Sequence, residues 1–195
     1  LRNKSILAGI SWSGTLVVPA GVTFNPNEEE AVAAFLARPS VENYSAVFRV
    51  LVPRVQAYFR VRGYDAAAAE DLAQEVMLVV YRESRRLRDK GAFYPWLFKI
   101  SRNIMLQEYR RATRRPQTVE ITEVGSSAGD PLARLQFAEW MKCLDDDERE
   151  TVMLRYIDGL EYHEIADVLG IPIGTAQWRI FKAKKKLAAL FGQGG

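Results

Sequence analysis

The sequence predicts an all-α protein: two small helical domains joined by a flexible linker. Three observations predict it. Apolar residues recur at spacings of three and four through residues 28–115, and again through 132–192. No alternating pattern long enough for a convincing strand lies outside the first 27 residues. Residues 116–131 lose the apolar period and carry Pro116, Gly125-Ser126-Ser127 and Gly129-Asp130-Pro131, the composition of a linker.

The elements follow in order. Residues 1–27 hold no acidic residue; Arg2 and Lys4 precede Ile6-Leu7-Ala8-Gly9-Ile10, which loosely imitates a secretory leader. Ser11, Ser13 and Gly14 interrupt that run, so a flexible N-terminal extension is expected instead. In the first domain, residues 28–115, Val47, Leu51, Val55 and Tyr58 form one helix face. Pro53 is expected to kink or divide that helix, and Gly63 to end it. A second helix over 67–88 turns Leu72, Val76, Val79 and Val80 inward. After Gly91, a third from Phe93 to Arg111 carries Leu97, Ile100 and Ile104 on one face. The 116–131 linker bears Glu120, Glu123 and Asp130 and no Lys or Arg.

The second domain, residues 132–192, opens a helix with Asp145 three residues before Glu148, the spacing of a capping box. That helix ends near Asp158-Gly159. A short helix from Tyr162 to Leu169 closes at Gly170, and a longer basic one runs from Ile173 to Leu190. Gly192-Gln193-Gly194-Gly195 is expected to be a frayed tail. Short helix, glycine turn and longer basic helix are the parts of a helix-turn-helix. At about 100° per residue, Ile173, Ala176, Ile180, Ala183, Leu187 and Leu190 make the inward stripe. Trp178, Phe181, Lys182 and Lys185 then face outward, with Gln177 and Arg179 on the flanks. Such a face either meets DNA, aromatics on thymine methyls and lysines on phosphates, or packs Trp178 under another surface while Lys184 to Lys186 are solvated.

In the first domain, Glu70, Asp71, Gln74 and Glu75 form a polar stripe that is either solvated or a docking face for a basic protein. Phe93-Tyr94-Pro95-Trp96 packs three aromatics into four residues, followed by Lys99, Arg102 and Asn103 and then Arg110-Arg111 and Arg114-Arg115. Aromatics that stack on unpaired bases, with cations along the backbone, grip single-stranded DNA. The alternative places Trp96 and Phe93 in the core.

Composition excludes other classes. Among 195 residues there is one histidine, His163, and one cysteine, Cys143, so neither an internal disulfide nor a Cys-based zinc cage can form. With no carboxylates clustered about a Gly-rich loop, the chain is not read as an enzyme, and no cofactor or metal is expected. No run reaches the ~18 apolar residues of a membrane span, so no membrane insertion is expected. The net charge of +3 does not by itself argue for nucleic acid; the distribution does. A stand-alone helix-turn-helix DNA-binding regulator explains residues 144–190 and leaves the aromatic-basic segment and the acidic stripe without a task.

Two blocks resemble a known family. Ala69-Glu70-Asp71-Leu72-Ala73-Gln74-Glu75-Val76, Trp96-Leu97-Phe98-Lys99-Ile100-Ser101-Arg102-Asn103 and Arg110-Arg111 are similar to region 2 of bacterial extracytoplasmic-function (ECF) sigma factors of the sigma-70 family. Leu144, Glu148-Arg149-Glu150, Leu154-Arg155-Tyr156, Asp158-Gly159-Leu160, Glu164-Ile165-Ala166, Leu169-Gly170-Ile171-Pro172 and Gly174-Thr175 resemble their region 4. The resemblance implies a region 2 helical bundle and a region 4 helix-turn-helix. It implies a cytoplasmic transcription initiation factor that binds core RNA polymerase, at the β′ clamp and β flap, and directs it to promoter DNA. Region 2 would melt and read the −10 element, and region 4 would read the −35 element as duplex, the linker running towards the RNA exit path. By position, Asp71, Gln74 and Glu75 would dock on the clamp. Phe93, Tyr94, Trp96 and Asn103, with Lys99 and Arg102 beside them, would lie at the melted −10 strand, with Asn103 reading an extruded base and Arg110 and Arg111 on phosphates. Thr175, Gln177, Trp178, Arg179 and Lys182, with Phe181 and Lys185, would form the −35 helix face. Factors of this family are often held by an anti-sigma partner, though no residue here demands one. Three departures stand out: Met77 for the usual Phe, Glu161 for the usual Ser or Thr cap, and Thr175-Ala176-Gln177-Trp178-Arg179 for a commoner Val-basic-Ser pattern. Bulky Trp178 implies an altered −35 preference. His163 is read as a surface residue.

Overall fold

A computed structural model describes residues 10–11, 15–16, 27–114 and 140–192, with side chains for 27–112 and 140–189. The expected extension, linker and frayed tail lie largely or wholly outside the described residues. Ile10–Ser11 (β1) and Thr15–Leu16 (β2) pair antiparallel; the remaining regular structure described is helical. The helices divide between two compact units.

One unit holds four α-helices. The first, α1, spans Asn27–Ala37, with Glu28, Glu29 and Glu30 in its first turn, where carboxylates suit the positive end of the helix dipole. The second, α2, spans Val41–Arg60; Ser40 caps it by accepting from the Asn43 N–H at 3.3 Å. It runs unbroken through Pro53, so the expected division does not occur. Burial of Leu51 and Val55 on either side offsets the lost hydrogen bond. Gly63, at φ 96°, reverses the chain after α2. Asp65 caps α3, Ala66–Glu83, accepting from the Ala68 N–H at 2.8 Å. Short 3-10 turns over Ser84–Arg86 and Lys90–Ala92 lead to α4, Phe93–Arg114.

The core of this unit is built from Val32 and Phe35 of α1, Val47, Leu51, Val55, Tyr58 and Phe59 of α2, Leu72, Val76, Met77 and Val80 of α3, and Phe93, Leu97, Phe98 and Ile104 of α4. Tyr58 and Phe98 stack with centroids 5.6 Å apart. Val79 and Ile100, expected inward, are only half-buried.

The other unit holds α5 (Asp146–Tyr156), α6 (Tyr162–Leu169) and α7 (Ile173–Gly192). The capping box is complete: Glu148 N–H donates to Asp145 at 2.8 Å, and Asp145 N–H donates to Glu148 at 3.1 Å. At α6, the Glu161 N–H donates to Glu164 at 2.6 Å. That bond from the N-cap backbone supplies order at a position where the first residue is a poor cap. Gly170, at φ 68°, ends α6 in the left-handed conformation, and the Ile171 N–H returns to the Ala166 carbonyl at 3.0 Å. Leu154, Ile165, Val168, Ala176, Ile180 and Ala183 close the core. Two members of the predicted stripe depart from it: Ile173 is exposed and Leu187 half-buried. Ile173 is the first residue of α7. The Leu190 side chain is outside those described.

Candidate nucleic-acid interface

Three surfaces gather the predicted site residues, on α3, α4 and α7. On α3, Asp71 and Gln74 are exposed and Glu75 is half-buried. Leu78 continues the same ridge, three residues beyond Glu75 and four beyond Gln74, and is 58% exposed. The sequence analysis missed Leu78; helical phase alone puts it on this face. The ridge therefore offers carboxylates beside an apolar side chain.

At α4 the aromatic segment divides. Phe93 is buried at 1%, four residues from Leu97 on the inward stripe, so its ring is core and is not available to a DNA strand. Tyr94 is half-buried under the Arg54 guanidinium, which lies 4.8 Å from its ring centroid. Burial, and after it the Glu28 charge, push the Tyr94 phenol well above its usual range. Trp96 is half-buried, its ring tilted 5.9 Å from Phe93. Lys99 and Asn103 are exposed one turn apart, with Arg102 half-buried between them. Arg110 and Arg111 are exposed further along, Arg111 lying 3.6 Å from Glu108. Tyr109, not singled out from sequence, stands 65% exposed beside them.

On α7, a three-residue turn, Gly170-Ile171-Pro172, carries the chain from α6. Trp178 and Phe181 are exposed at 56% and 67%, and Gln177 and Lys185 are exposed near them. Thr175 is half-buried. The Lys182 ammonium sits 4.9 Å from the Trp178 ring, a cation–π contact. His163 is exposed on α6.

Two of the predicted DNA-contacting cations are already engaged. Arg179 is ion-paired with Asp147 and only 16% of its side chain is exposed. Lys182 lies 3.0 Å from Glu148 and 3.5 Å from Asp145, and Lys186 bonds the other Glu148 oxygen. Glu148 itself is buried at 1%. Burial alone would raise its pKa, but the Lys186 and Lys182 ammoniums outweigh that and hold the carboxyl below its usual range. The Glu148 N–H, and after it the same lysines, hold Asp145 low as well. The signal in the sequence was the run Asp145-Asp146-Asp147-Glu148 ahead of a basic helix; only folding brings the two together.

Comparison with known proteins follows this division. Residues 47–115 match the family model for sigma-70 region 2, and residues 134–187 match that for sigma-70 region 4. The chain is 31% identical over 150 residues to the ECF RNA polymerase sigma factor EcfG of Rhodopseudomonas palustris, covering 71% of this chain and 80% of that one. It is 30% identical over 141 residues to the RNA polymerase sigma-H factor of Pseudomonas aeruginosa, covering 64% of this chain and 73% of that one. Its fold is similar to that of CnrH, solved in complex with the cytosolic domain of CnrY: TM-score 0.61, 22% identity, covering 86% of this chain and 99% of that one.

Proposed function

Given that the chain belongs to the sigma-70 family as a factor of the ECF type, we propose which of its residues carry each step of promoter recognition. The protein is a transcription initiation factor: it binds core RNA polymerase and directs it to promoters. The observation that carries this function is that regions 2 and 4 occur in order on one chain. A lone helix-turn-helix regulator would leave residues 47–115 without a role.

In this reading the α3 ridge of Asp71, Gln74 and Glu75, extended by Leu78, docks on the clamp of the polymerase. Carboxylates steer the approach to a basic partner, and Leu78 supplies apolar contact area. Trp96, Lys99, Arg102 and Asn103 meet the −10 strand, the indole stacking and the cations following the backbone. Arg110 and Arg111 hold phosphates. Gln177, Trp178, Phe181 and Lys185 meet the −35 duplex in the major groove, with Thr175 at the entry of the helix. Arg179 and Lys182 support that face from their ion pairs. The chemistry is binding and strand separation, with no covalent step, in the cytoplasm where core polymerase and promoter meet.

CnrH is held by the cytosolic domain of CnrY, and RpoE of Bartonella quintana was solved with the anti-sigma factor NepR. An anti-sigma partner of this chain is the corresponding proposal. The deciding experiment for the whole reading is transcription from a matched promoter with and without core polymerase, read by footprinting and thymine reactivity to permanganate. Protection at two spaced sites and reactive −10 thymines, both only with core, are the expected result. Equally tight DNA binding without core would favour the lone regulator.

A further inference from the structure

A buried ion pair lies outside every surface assigned above. Arg54 of α2 donates from Nη1 to Glu28 Oε1 of α1 at 2.7 Å, and both residues are more than nine-tenths buried. Burying two charges costs desolvation that an apolar pair would avoid. Holding α1 in place does not require it, because Val32 and Phe35 already seat that helix in the core. The pair instead lies against the start of α4. The Arg54 guanidinium is 4.8 Å from the Tyr94 ring and 5.5 Å from the Phe98 ring.

The start of α4 is held by its backbone as well: the Phe93 N–H reaches the Lys90 carbonyl, and Pro95 stands in the first turn, where a missing N–H costs little. What the side chains of that turn add is orientation. Tyr94 is in edge contact with Phe93 at 5.5 Å, and Phe93 with Trp96 at 5.9 Å. The contacts therefore run from Glu28 through Arg54 and Tyr94 to the Trp96 indole. Glu28 lies outside residues 47–115, the segment that matches region 2.

We propose that Glu28 is a positioning residue for promoter opening: acting through Arg54 and Tyr94, it fixes the first turn of α4 and the orientation of Trp96 against the melted strand. This rests on the −10 role given to Trp96 above. Loss of Glu28 leaves initial docking intact and weakens strand separation.

The test uses holoenzyme with Glu28→Gln, Glu28→Asp, Arg54→Lys and the Glu28→Gln/Arg54→Lys double variant. Core affinity, duplex binding and permanganate reactivity of −10 thymines are measured for each. Arg54→Lys keeps the charge and loses the planar guanidinium that faces the Tyr94 ring. The expected result for Glu28→Gln and Arg54→Lys is core and duplex binding within about twofold of wild type, with open complex reduced about tenfold, or about 1.4 kcal/mol. Glu28→Asp retains most of the opening, and the double variant is no worse than the poorer single one. Full opening by either single variant, multiplying effects in the double variant, or core binding lost in step with opening would each overturn the proposal. Should Glu28→Gln fail to fold, Arg54→Lys decides alone, since it keeps a cation beside Glu28. A wild-type holoenzyme that opens no promoter would instead refute the −10 reading beneath it.

Discussion

Trp178 is the single residue that best tests the −35 face proposed above. Its indole is exposed at 56%, with the Lys182 ammonium 4.9 Å from the ring, and Phe181 beside it is exposed at 67%. Replacing Trp178 with alanine should change the −35 preference, with individual base-pair substitutions shifting by about 1–3 kcal/mol. The −10 opening should be spared. Competition binding with −35 duplex variants, paired with permanganate footprinting, checks both halves; an unchanged preference returns Trp178 to a packing role. Residues of this kind were legible, because helical phase alone separates Trp178 and Phe181 from Ile180 and Ala183. Phe93 was misplaced because three adjacent aromatics read as one cluster, although its spacing of four to Leu97 marks it as core. Arg179 could not be placed from local pattern at all: its carboxylate partner lies 32 residues earlier in the chain.

Elements carry the stability. Gly170 turns the chain between α6 and α7 at positive φ, and an added Cβ would meet nothing within 4 Å. The cost of Gly170→Ala is therefore backbone strain alone, about 1–2 kcal/mol, measurable as a lower unfolding midpoint. The carboxylates that join α5 to α7 make a pH prediction. Glu148 and Asp145 have folded pKa values below their ordinary ones of 4.5 and 3.8. Their contribution is complete above that range and is lost as pH falls through the lowered values. Urea unfolding from neutral pH down to about pH 3 should show this loss, and Glu148→Gln should flatten the acid limb. The capping box was readable as a spacing in the sequence. The outcome at Pro53 was not: a proline inside a helix costs about 3 kcal/mol, and one buried Leu or Val side chain returns about 1.5–3 kcal/mol. Leu51 and Val55 together tip that balance towards a continuous α2, and local pattern cannot weigh burial.

The whole molecule acts through two units on one chain. Asp71→Arg with Glu75→Arg reverses the charge of the α3 ridge while replacing no core residue. It should abolish core binding while the circular dichroism spectrum stays helical; retained affinity would move the docking surface elsewhere. Inserting about 5 base pairs between the two promoter elements turns the −35 groove by roughly half a helical turn. Transcription in vitro should collapse, while binding of each element alone persists. The division of labour was legible because two separate motif blocks stand in order. The support of α4 by Glu28 was not, since it depends on a contact between residues 26 apart in sequence.

The pairing of Arg179, Lys182 and Lys186 with carboxylates has a consequence for ionic strength. Each phosphate neutralised by a protein cation releases roughly 0.9 of a condensed counterion. Five basic side chains on α7 would thus give a log–log salt slope of roughly −4.5. With three of them already neutralised internally, the helix should contribute only about −2. A −35 contact made by this face should therefore tolerate salt, drawing on shape and apolar area more than on its lysine count.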